Sequence, residues 1–223
     1  GLLRAQTDTA AAIADHDPEL IVAVPPLYVD DGATPDWAIL DAVTADIGRG
    51  LRARGDGDRT PVVAIETTVP VGATRERVSP GIEAASGGLS EGEDFHTAFS
   101  PERVFSGRAL ADLDAYPKLV GGLTGAGEQR AAELYRSFIS AEVRAMGSAE
   151  AAELAKLAET TYRDINIAFA NELARYADRI GVDVIGVIDA ANSQPYSHIH
   201  RPGIAVGGHC IPVYPRFLLS TDP

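Results

Sequence analysis

The chain has 223 residues, 45% of them hydrophobic, which is enough for the core of one large domain or of one and a half ordinary ones. Its net charge of −13 argues against partners such as nucleic acid or anionic membrane surfaces. No apolar run reaches the roughly 18 residues of a membrane span, and the single cysteine, Cys210, excludes an internal disulfide and favours a reducing, cytoplasmic location.

Lysine is nearly absent from the chain. Lys118 and Lys156 are the only lysines, and every other cationic side chain apart from histidine is arginine. An acidic, lysine-poor composition suits a protein that stays soluble in concentrated salt, and a GC-rich genome produces the same replacement of lysine. Both explanations stay open.

Four segments of the first two-thirds of the chain predict strands. Residues 20–24 and 62–65 are continuous apolar runs, as expected for buried parallel strands. Residues 95–104 and 118–123 have a similar strand-like pattern.

Helical patterns separate these strands. Apolar residues recur every three or four positions over residues 37–47, after Asp36 as a candidate cap. Gly48, Gly50 and the polar stretch 54–59 are expected to end that helix. Two further helices are predicted, one from Thr74 and one over residues 127–140. This alternation is typical of a doubly wound α/β sheet.

The pattern changes at Ser148. From there a helical pattern continues without a breaker to Gly181, about 30 residues against the usual ~11. A helix so long has more surface than one small domain covers, so we expect it to bridge domains or to join subunits. A short helix over residues 184–191 and a structured loop over residues 201–215 follow.

We therefore predict an α/β fold with two domains. Residues 1–147 form the second half of a Rossmann-like, doubly wound dinucleotide-binding domain. Residues 148–223 form a helical dimerisation domain with one long helix.

The segment 207–212, Gly-Gly-His-Cys-Ile-Pro, contains the only cysteine. A lone cysteine is often an inert small hydrophobic residue. Here the tight turn allows the Cys210 thiol to point into a cleft, and His209 with nearby N–H groups could favour the thiolate. Both interpretations remain open.

Lys156, Thr160 and Arg163 project from one face of the long helix, because they lie at i, i+4 and i+7. A solvated stripe is the simpler interpretation. The alternative is a buried lysine that donates a proton or stabilises an oxyanion, beside an arginine that binds phosphate or carboxylate.

Two predicted strands end in polar loops, at residues 67–72 and 100–104. Because ligands of open α/β sheets bind at the carboxyl ends of strands, Thr68 and Glu102 could hold a water or a sugar hydroxyl. Ordinary turn chemistry is the alternative.

Two apparent motifs carry no site. The pair Gly125 and Gly127 precedes a helix, but Glu128 would repel a pyrophosphate and Arg130 occupies the position of the third glycine, so we interpret it as a helix start. The chain therefore has no complete phosphate-binding fingerprint. The five histidines are scattered or, at His198 and His200, lie on a loop with no cysteine or acidic cluster, and no metal site is predicted.

Together these segments resemble the UDP-glucose/GDP-mannose dehydrogenase family, and within it the UDP-N-acetylmannosamine branch. The matching segments are Val24-Pro25, Thr67-Thr-Val-Pro-Val-Gly72, Ser100-Pro-Glu-Arg-Val104, Lys118-Leu-Val-Gly-Gly-Leu-Thr124, residues 156–172 and Gly207-Gly-His-Cys-Ile-Pro212. They cover nearly the whole chain, and the last two are the most specific.

The resemblance implies an NAD-dependent, two-step oxidation of the C6 alcohol of a UDP-sugar, with an aldehyde and then a Cys210 thioester. It implies that Lys156 donates a proton and stabilises an oxyanion, that Thr68 contacts NAD and the reacting water, and that Glu102 assists hydrolysis. It places Pro26 beside NAD and a homodimer interface on the long helix. The implied substrate contacts are Arg103, Val104, Lys156, Thr160, Arg163 and Gly207.

The sequence departs from the family pattern at four positions. Thr160 replaces an asparagine and Tyr214 an aspartate, and Gln194 and Tyr196 stand where some members have His and Arg. Because we expect the family's Gly-rich first βαβ unit before Gly1 and a nucleotide-binding domain after Pro223, we expect this chain alone to bind NAD poorly and to be inactive.

Two other functions compete with this one. A non-catalytic dimerisation or regulatory relative would keep the fold, but it tends to lose a nucleophile such as Cys210. A 3-hydroxyacid dehydrogenase has a dinucleotide domain and a helical lysine but needs no cysteine.

Overall fold

The predicted strands lie side by side in one sheet. The computed structural model describes residues 3–30, 34–54, 59–105, 107–208 and 210–221, which fall into two compact units, Gly1–Lys156 and Leu157–Pro223. The strands are β1 (Leu20–Ala23), β2 (Tyr28–Val29), β3 (Pro35–Asp36), β4 (Val62–Ile65), β5 (His96–Phe99), β6 (Lys118–Gly122) and β7 (Val143–Ala145). The helices are α1 (Thr9–His16), α2 (Ala38–Ala53), a π-helical turn (Thr74–Val78), α3 (Ser79–Ser86), α4 (Ala109–Ala115), α5 (Gly125–Arg136), α6 (Ala149–Ile180), α7 (Val184–Ala191) and α8 (Tyr214–Leu219).

The sheet has five strands in the order β1-β4-β5-β6-β7. β1, β4 and β5 are parallel, β6 runs antiparallel to β5, and β7 is parallel to β6. The predicted α/β class with a mainly parallel sheet is confirmed. The reversed direction of β6 is a new feature, since an apolar run predicts a strand but not its direction.

One face of the sheet packs on α5. Alternate residues of β4, β5 and β6 point to this face, where they meet buried small and aromatic side chains of α5. The cluster comprises Val62, Ala64, Ala98, Val120, Ala131, Ala132, Tyr135 and Val143. It fixes α5, and with it Tyr135, against the centre of the sheet.

Gly48 and Gly50 do not end the second helix, contrary to the prediction. α2 continues to Ala53, and each glycine lies where another helix approaches. A Cβ atom on Gly48 would lie 2.5 Å from the Ile82 carbonyl oxygen, and one on Gly50 would lie 2.8 Å from Cβ of Ile13. These glycines therefore serve close packing of α3 and α1 on α2.

β1 is less buried than its apolar sequence predicts. Val22 is 44% exposed and Val24, just after the strand, is 60% exposed. Within the described residues β1 pairs only with β4, so it is an edge strand, and an edge is covered less well than the centre. The short elements α1, α4, β2, β3 and β7 were not predicted.

The predicted long helix is confirmed as α6, 32 residues in length. The Ser148 hydroxyl accepts from the Ala151 N–H, 3.1 Å away, and so caps the start of this helix. The predicted helix over residues 184–191 matches α7, which Asp183 caps through the N–H groups of Ile185 and Gly186.

The predicted loop over residues 201–215 ends earlier, because α8 begins at Tyr214. Within the unit Leu157–Pro223, side-chain amides of α6 and of the residue after α7 bind the segment 198–200, which leads into this loop. Asn166 accepts from the His200 N–H and donates to the His198 carbonyl, and Asn192 exchanges two bonds with Ile199. These bonds fix residues 198–200 against the helices.

The first turns of α6 bind the segment that follows Thr68. The Glu153 carboxylate is fully buried and accepts from the Gly72 N–H (2.6 Å), the Thr74 N–H (2.9 Å) and the Thr74 hydroxyl (2.6 Å). Burial raises the pKa of Glu153, and the bonds from Thr74 and Gly72 oppose that shift. The carboxylate thus provides partners for N–H groups at the start of the π-helical turn.

The Glu153→Ala substitution should lower the free energy of unfolding by about 2–4 kcal/mol, because it leaves buried donors of Gly72 and Thr74 unpaired. Urea denaturation followed by circular dichroism measures this. The matched control is Glu133→Ala on the exposed face of α5, where we expect a loss below about 0.5 kcal/mol. Equal losses of stability in the two variants would contradict the role of Glu153 as the partner of these buried donors.

Another carboxylate, that of Glu91, is largely but not fully buried and lies before β5. Its Oε2 accepts from the Thr97 hydroxyl at 2.7 Å, and its Oε1 lies 4.0 Å from Nδ1 of His96. Burial raises the pKa of Glu91 to about 7, and the bonds from Thr97 oppose the rise. Burial and the charge of Arg130 lower the pKa of His96.

The folded protein therefore keeps a proton on Glu91 at pH values where the unfolded chain has lost it. The resulting stability is present below about pH 4.5 and is lost as the pH rises to about 7. Glu91→Gln should flatten this fall, so that the loss of Tm between pH 5 and 7.5 is smaller by roughly 2–4 °C. Glu93→Gln, on the exposed part of the same loop, should leave the curve unchanged; calorimetry across this pH range compares the three proteins.

Candidate active site

Three loops leave the sheet at the same edge, because β1, β4 and β5 are parallel. Main-chain bonds link them: the Glu66 N–H donates to the Ala23 carbonyl (3.0 Å) and the Glu102 N–H to the Glu66 carbonyl (3.2 Å). The Thr67 hydroxyl donates to the Pro25 carbonyl at 2.5 Å. The polar residues predicted at two strand ends therefore lie along one edge of one sheet.

The two residues predicted to contact the cofactor lie at this edge. Thr68 is 5% exposed and Pro26 is exposed. Thr68 is held between Thr67, which is tied to the loop after β1, and the segment that Glu153 binds. Its position is therefore set from both sides.

The loop after β5 carries three predicted site residues. The Glu102 carboxylate accepts from the Val104 N–H within the loop. The Arg103 guanidinium donates to the Pro117 carbonyl at 3.1 Å and lies 5.7 Å from the Tyr116 ring centroid. Arg103 and Glu102 thus point to different neighbours, although they are adjacent in the chain.

Lys156 is buried, at 8% exposure, so the solvated-stripe interpretation is wrong for this residue. Its Nζ donates to the Glu102 main-chain carbonyl at 2.6 Å. In the second unit, Thr160 is also buried and its hydroxyl donates to the Leu157 carbonyl at 3.1 Å, whereas Arg163 is exposed. The three residues therefore differ in environment, and only Arg163 has a solvated side chain.

Sequence reasoning missed a buried ion pair at the same edge. Lys118 Nζ lies 2.6 Å from Glu66 Oε1, which also accepts from the Tyr135 hydroxyl at 2.6 Å. Burial lowers the pKa of Lys118, and the charge of Glu66 and the hydrogen bond to it oppose the shift. Burial raises the pKa of Tyr135, and the charge of Glu66 adds to the rise.

Of these residues only Lys118 has a signal in the composition. It is one of only two lysines in an arginine-rich chain, as Lys156 is. Glu153 resembled an ordinary acid in the first turns of a helix. Its burial depends on the loop at residues 72–74, which is distant in sequence.

Cys210 lies in the second unit, on the loop before α8. Its side chain is exposed and forms no disulfide, and its carbonyl accepts from the N–H groups of Val213 and Tyr214, both at 3.1 Å. Gly208 has φ of +101°, a conformation that favours glycine. Gly207 is exposed, and His209, proposed to favour the thiolate, lies outside the described residues.

In the described part of the chain, no group of three or more His, Cys, Asp or Glu side chains could hold a metal ion. In the same residues, no helix has both the length and the apolar character needed to cross a membrane.

Comparison with known proteins gives consistent matches. A UDP-N-acetyl-D-mannosamine dehydrogenase of Pyrococcus horikoshii is 38% identical over 96% of this chain and 48% of its own length. An NDP-N-acetyl-D-galactosaminuronic acid dehydrogenase of Ralstonia nicotianae is 38% identical over 100% of this chain and 51% of its own length. The chain therefore spans about half the length of these curated relatives.

The fold agrees with a solved structure. The structure of the UDP-D-ManNAc dehydrogenase from Pyrococcus horikoshii superposes with a TM-score of 0.82 at 37% identity, over 95% of this chain and 48% of that one.

Two domain families match in succession along the chain. Residues 1–139 match the NAD binding domain of the UDP-glucose/GDP-mannose dehydrogenase family, and residues 150–222 match the central domain of the same family. The predicted resemblance and the predicted cofactor type, NAD, are thereby confirmed. The two domain matches follow each other in the family's order, and the sheet gathers its loops at one edge. This chain therefore belongs to the UDP-glucose/GDP-mannose dehydrogenase family.

Proposed function

We propose that the protein oxidises the C6 alcohol of UDP-N-acetylmannosamine to the uronate with NAD, through a thioester on Cys210. Both relatives named above support the reaction class, and the relative from Pyrococcus horikoshii supports this choice of sugar. The family's domain order supports a dinucleotide-binding domain over residues 1–147 followed by a dimerisation domain over residues 148–223.

The observation that carries the proposal is the buried ammonium of Lys156 at the edge where the strand-end loops gather. A buried cation bonded to a main-chain carbonyl is held in place and shielded from water, and it can stabilise negative charge that develops on an oxygen. We assign Lys156 the roles of proton donor and oxyanion stabiliser.

Oxidation of the alcohol removes a hydride and a proton and gives an aldehyde. The Cys210 sulfur adds to the aldehyde carbon, and the thiol proton is replaced by a proton on the oxygen of the thiohemiacetal. A second loss of a hydride and a proton gives the thioester, and water cleaves it to the carboxylate, a released proton and the free thiol. Glu102 assists this hydrolysis as a base.

When bound, NAD takes up the two electrons removed in each of the two oxidations. Thr68 and Pro26 suit the nicotinamide end of such a cofactor, since Thr68 has a hydroxyl that donates and accepts, Pro26 has an exposed apolar ring, and both lie in loops at this edge. Thr68 also orients the reacting water. The sequence has no complete Gly-rich phosphate turn, so residues other than Thr68 and Pro26 must bind the rest of the cofactor.

We assign substrate contacts to Arg103, Val104, Thr160, Arg163 and Gly207, in addition to Lys156. The exposed guanidinium of Arg163 suits a phosphate or carboxylate, and the exposed Gly207 lets a ligand approach the backbone. The hydroxyls of Thr160 and Tyr214, which replace an amide and a carboxylate of the family pattern, keep hydrogen-bonding capacity.

We also propose that the protein is a homodimer and acts in the cytoplasm. Ile165, Phe169, Tyr176 and Ile180 are each half or more exposed and form one stripe along α6. A stripe of large apolar side chains is favourable when a second copy covers it. The single free thiol fits a reducing compartment.

Two NADH per UDP-N-acetylmannosamine should form with the protein made from its full reading frame, because the proposed route removes four electrons. Cys210→Ser should lower the rate at least about a hundredfold, since no thioester can form. Absorbance at the NADH band and chromatography of the sugar product measure both quantities, with UDP-glucose and UDP-N-acetylglucosamine as comparison substrates.

The 223-residue chain alone is expected to bind NAD weakly and to form no NADH. NADH formation by that chain would contradict this expectation. Absence of NADH with all three sugars in the full protein would contradict the catalytic proposal and favour a non-catalytic relative.

Phe169→Glu should weaken the dimer at least about tenfold, because it places a charge in the apolar stripe. Sedimentation velocity over a concentration series measures the dissociation constant. The matched control is Phe138→Glu, which changes another exposed phenylalanine, just after α5, and should leave the dissociation constant unchanged. A monomeric unsubstituted protein, or equal effects of both variants, would count against this interface.

A further inference from the structure

The reversed direction of β6 brings its first residue to the edge that carries the candidate site. β5 and β6 pair as Ala98 with Gly122 and Phe99 with Gly121. Continued by the same register, this antiparallel pairing sets Lys118 opposite Glu102. In a strand parallel to β5, the first residue would instead lie at the opposite edge.

Lys118 binds the main chain of the loop after β5. Its Nζ lies 3.2 Å from the Ser100 carbonyl and 3.4 Å from the Pro101 carbonyl, and Lys156 binds the next carbonyl, that of Glu102. Three successive carbonyls therefore accept from the only two lysines of the chain. Lys118 therefore serves the first two carbonyls of this segment and Lys156 the third.

Glu66 completes the arrangement. Its carboxylate pairs with Lys118 and accepts from Tyr135, while its main-chain carbonyl accepts from the Glu102 N–H. The side chains of Lys118 and Glu66 are 9% and 14% exposed. A buried ion pair is weakly favourable for stability compared with apolar packing, so its retention suggests that it fixes one geometry.

We propose that Lys118 is a positioning residue for the oxidation proposed above, which holds the segment Ser100–Glu102 so that the Glu102 carbonyl meets the ammonium of Lys156. The inference rests on the proposed function. Lys118 contacts the loop backbone and Glu66, so it acts through Glu102 and Lys156 rather than on the sugar. The charged groups that surround it are Glu66, Glu102 and Lys156.

The test uses the protein from its full reading frame. Lys118→Met removes the bonds to Ser100 and Pro101, and Lys118→Met/Glu66→Gln removes them without leaving a buried charge. We expect kcat per folded molecule to fall about tenfold or more in both, because small displacements in a site are costly, and the pH midpoint of kcat to move. Lys118→Arg should restore part of kcat, since a guanidinium can also donate to these carbonyls.

The matched control is Arg136→Met, which removes a cation that donates to the Val143 carbonyl away from this edge. A structural role alone would reduce the folded fraction in every variant and leave kcat per folded molecule and its pH midpoint unchanged, and that result would overturn the inference. If Lys118→Met fails to fold, the double variant and Lys118→Arg decide in its place.

A second measurement keeps the two proposals separate. Hydrogen exchange in the 223-residue chain should accelerate about tenfold or more at the Glu102 N–H in the double variant, and little in α5. An unsubstituted full protein without NADH formation would count against the proposed function. An active full protein whose Lys118 variants keep normal kcat and exchange would overturn the role of Lys118 alone.

Discussion

The arrangement of this edge depends on one constraint: buried main-chain polar groups that leave a sheet must find partners. The first turns of α6 meet it with two charged side chains one turn apart. Glu153 accepts from the N–H groups after Thr68, and Lys156 donates to the carbonyl of Glu102. One helix therefore fixes two loops, one through an anion and one through a cation, and the distance between those loops follows from the spacing of three residues along α6.

The sign of each buried side-chain charge follows from the backbone groups that the neighbouring loop presents to it. The segment at residues 72–74 begins a helical turn, so it presents N–H groups and attracts a carboxylate. The segment at residues 100–102 presents carbonyls, so it attracts ammonium groups, one from α6 and one from β6. The mixed sheet matters here, because only the antiparallel strand brings Lys118 to the carbonyl side. A buried cation and a buried anion thus follow from local backbone direction.

Sequence periodicity was sufficient for the long helix, for α7 and for the apolar cores of β4, β5 and β6. It failed where tertiary contacts decide. Gly48 and Gly50 look like helix breakers, yet they permit close approach by Ile82 and Ile13, which lie far away in sequence. The direction of β6 is invisible in an apolar run, so the meeting of Lys118 with Ser100 could not be predicted. Lys156 was identified because both its spacing and its rarity distinguished it, whereas for Lys118 only rarity was available.

The rarity of lysine itself argues for function at both positions. A general drift from lysine to arginine, whatever its origin, removes lysine wherever a guanidinium serves equally well. The buried ammonium groups of Lys118 and Lys156 donate to main-chain carbonyls, and Lys118 also pairs with Glu66. An ammonium is a compact charge with donors in three directions, whereas the guanidinium is planar and larger. At both positions the geometry of the buried site, and not only the sign of the charge, therefore selects lysine. Both lysines lie next to Glu102.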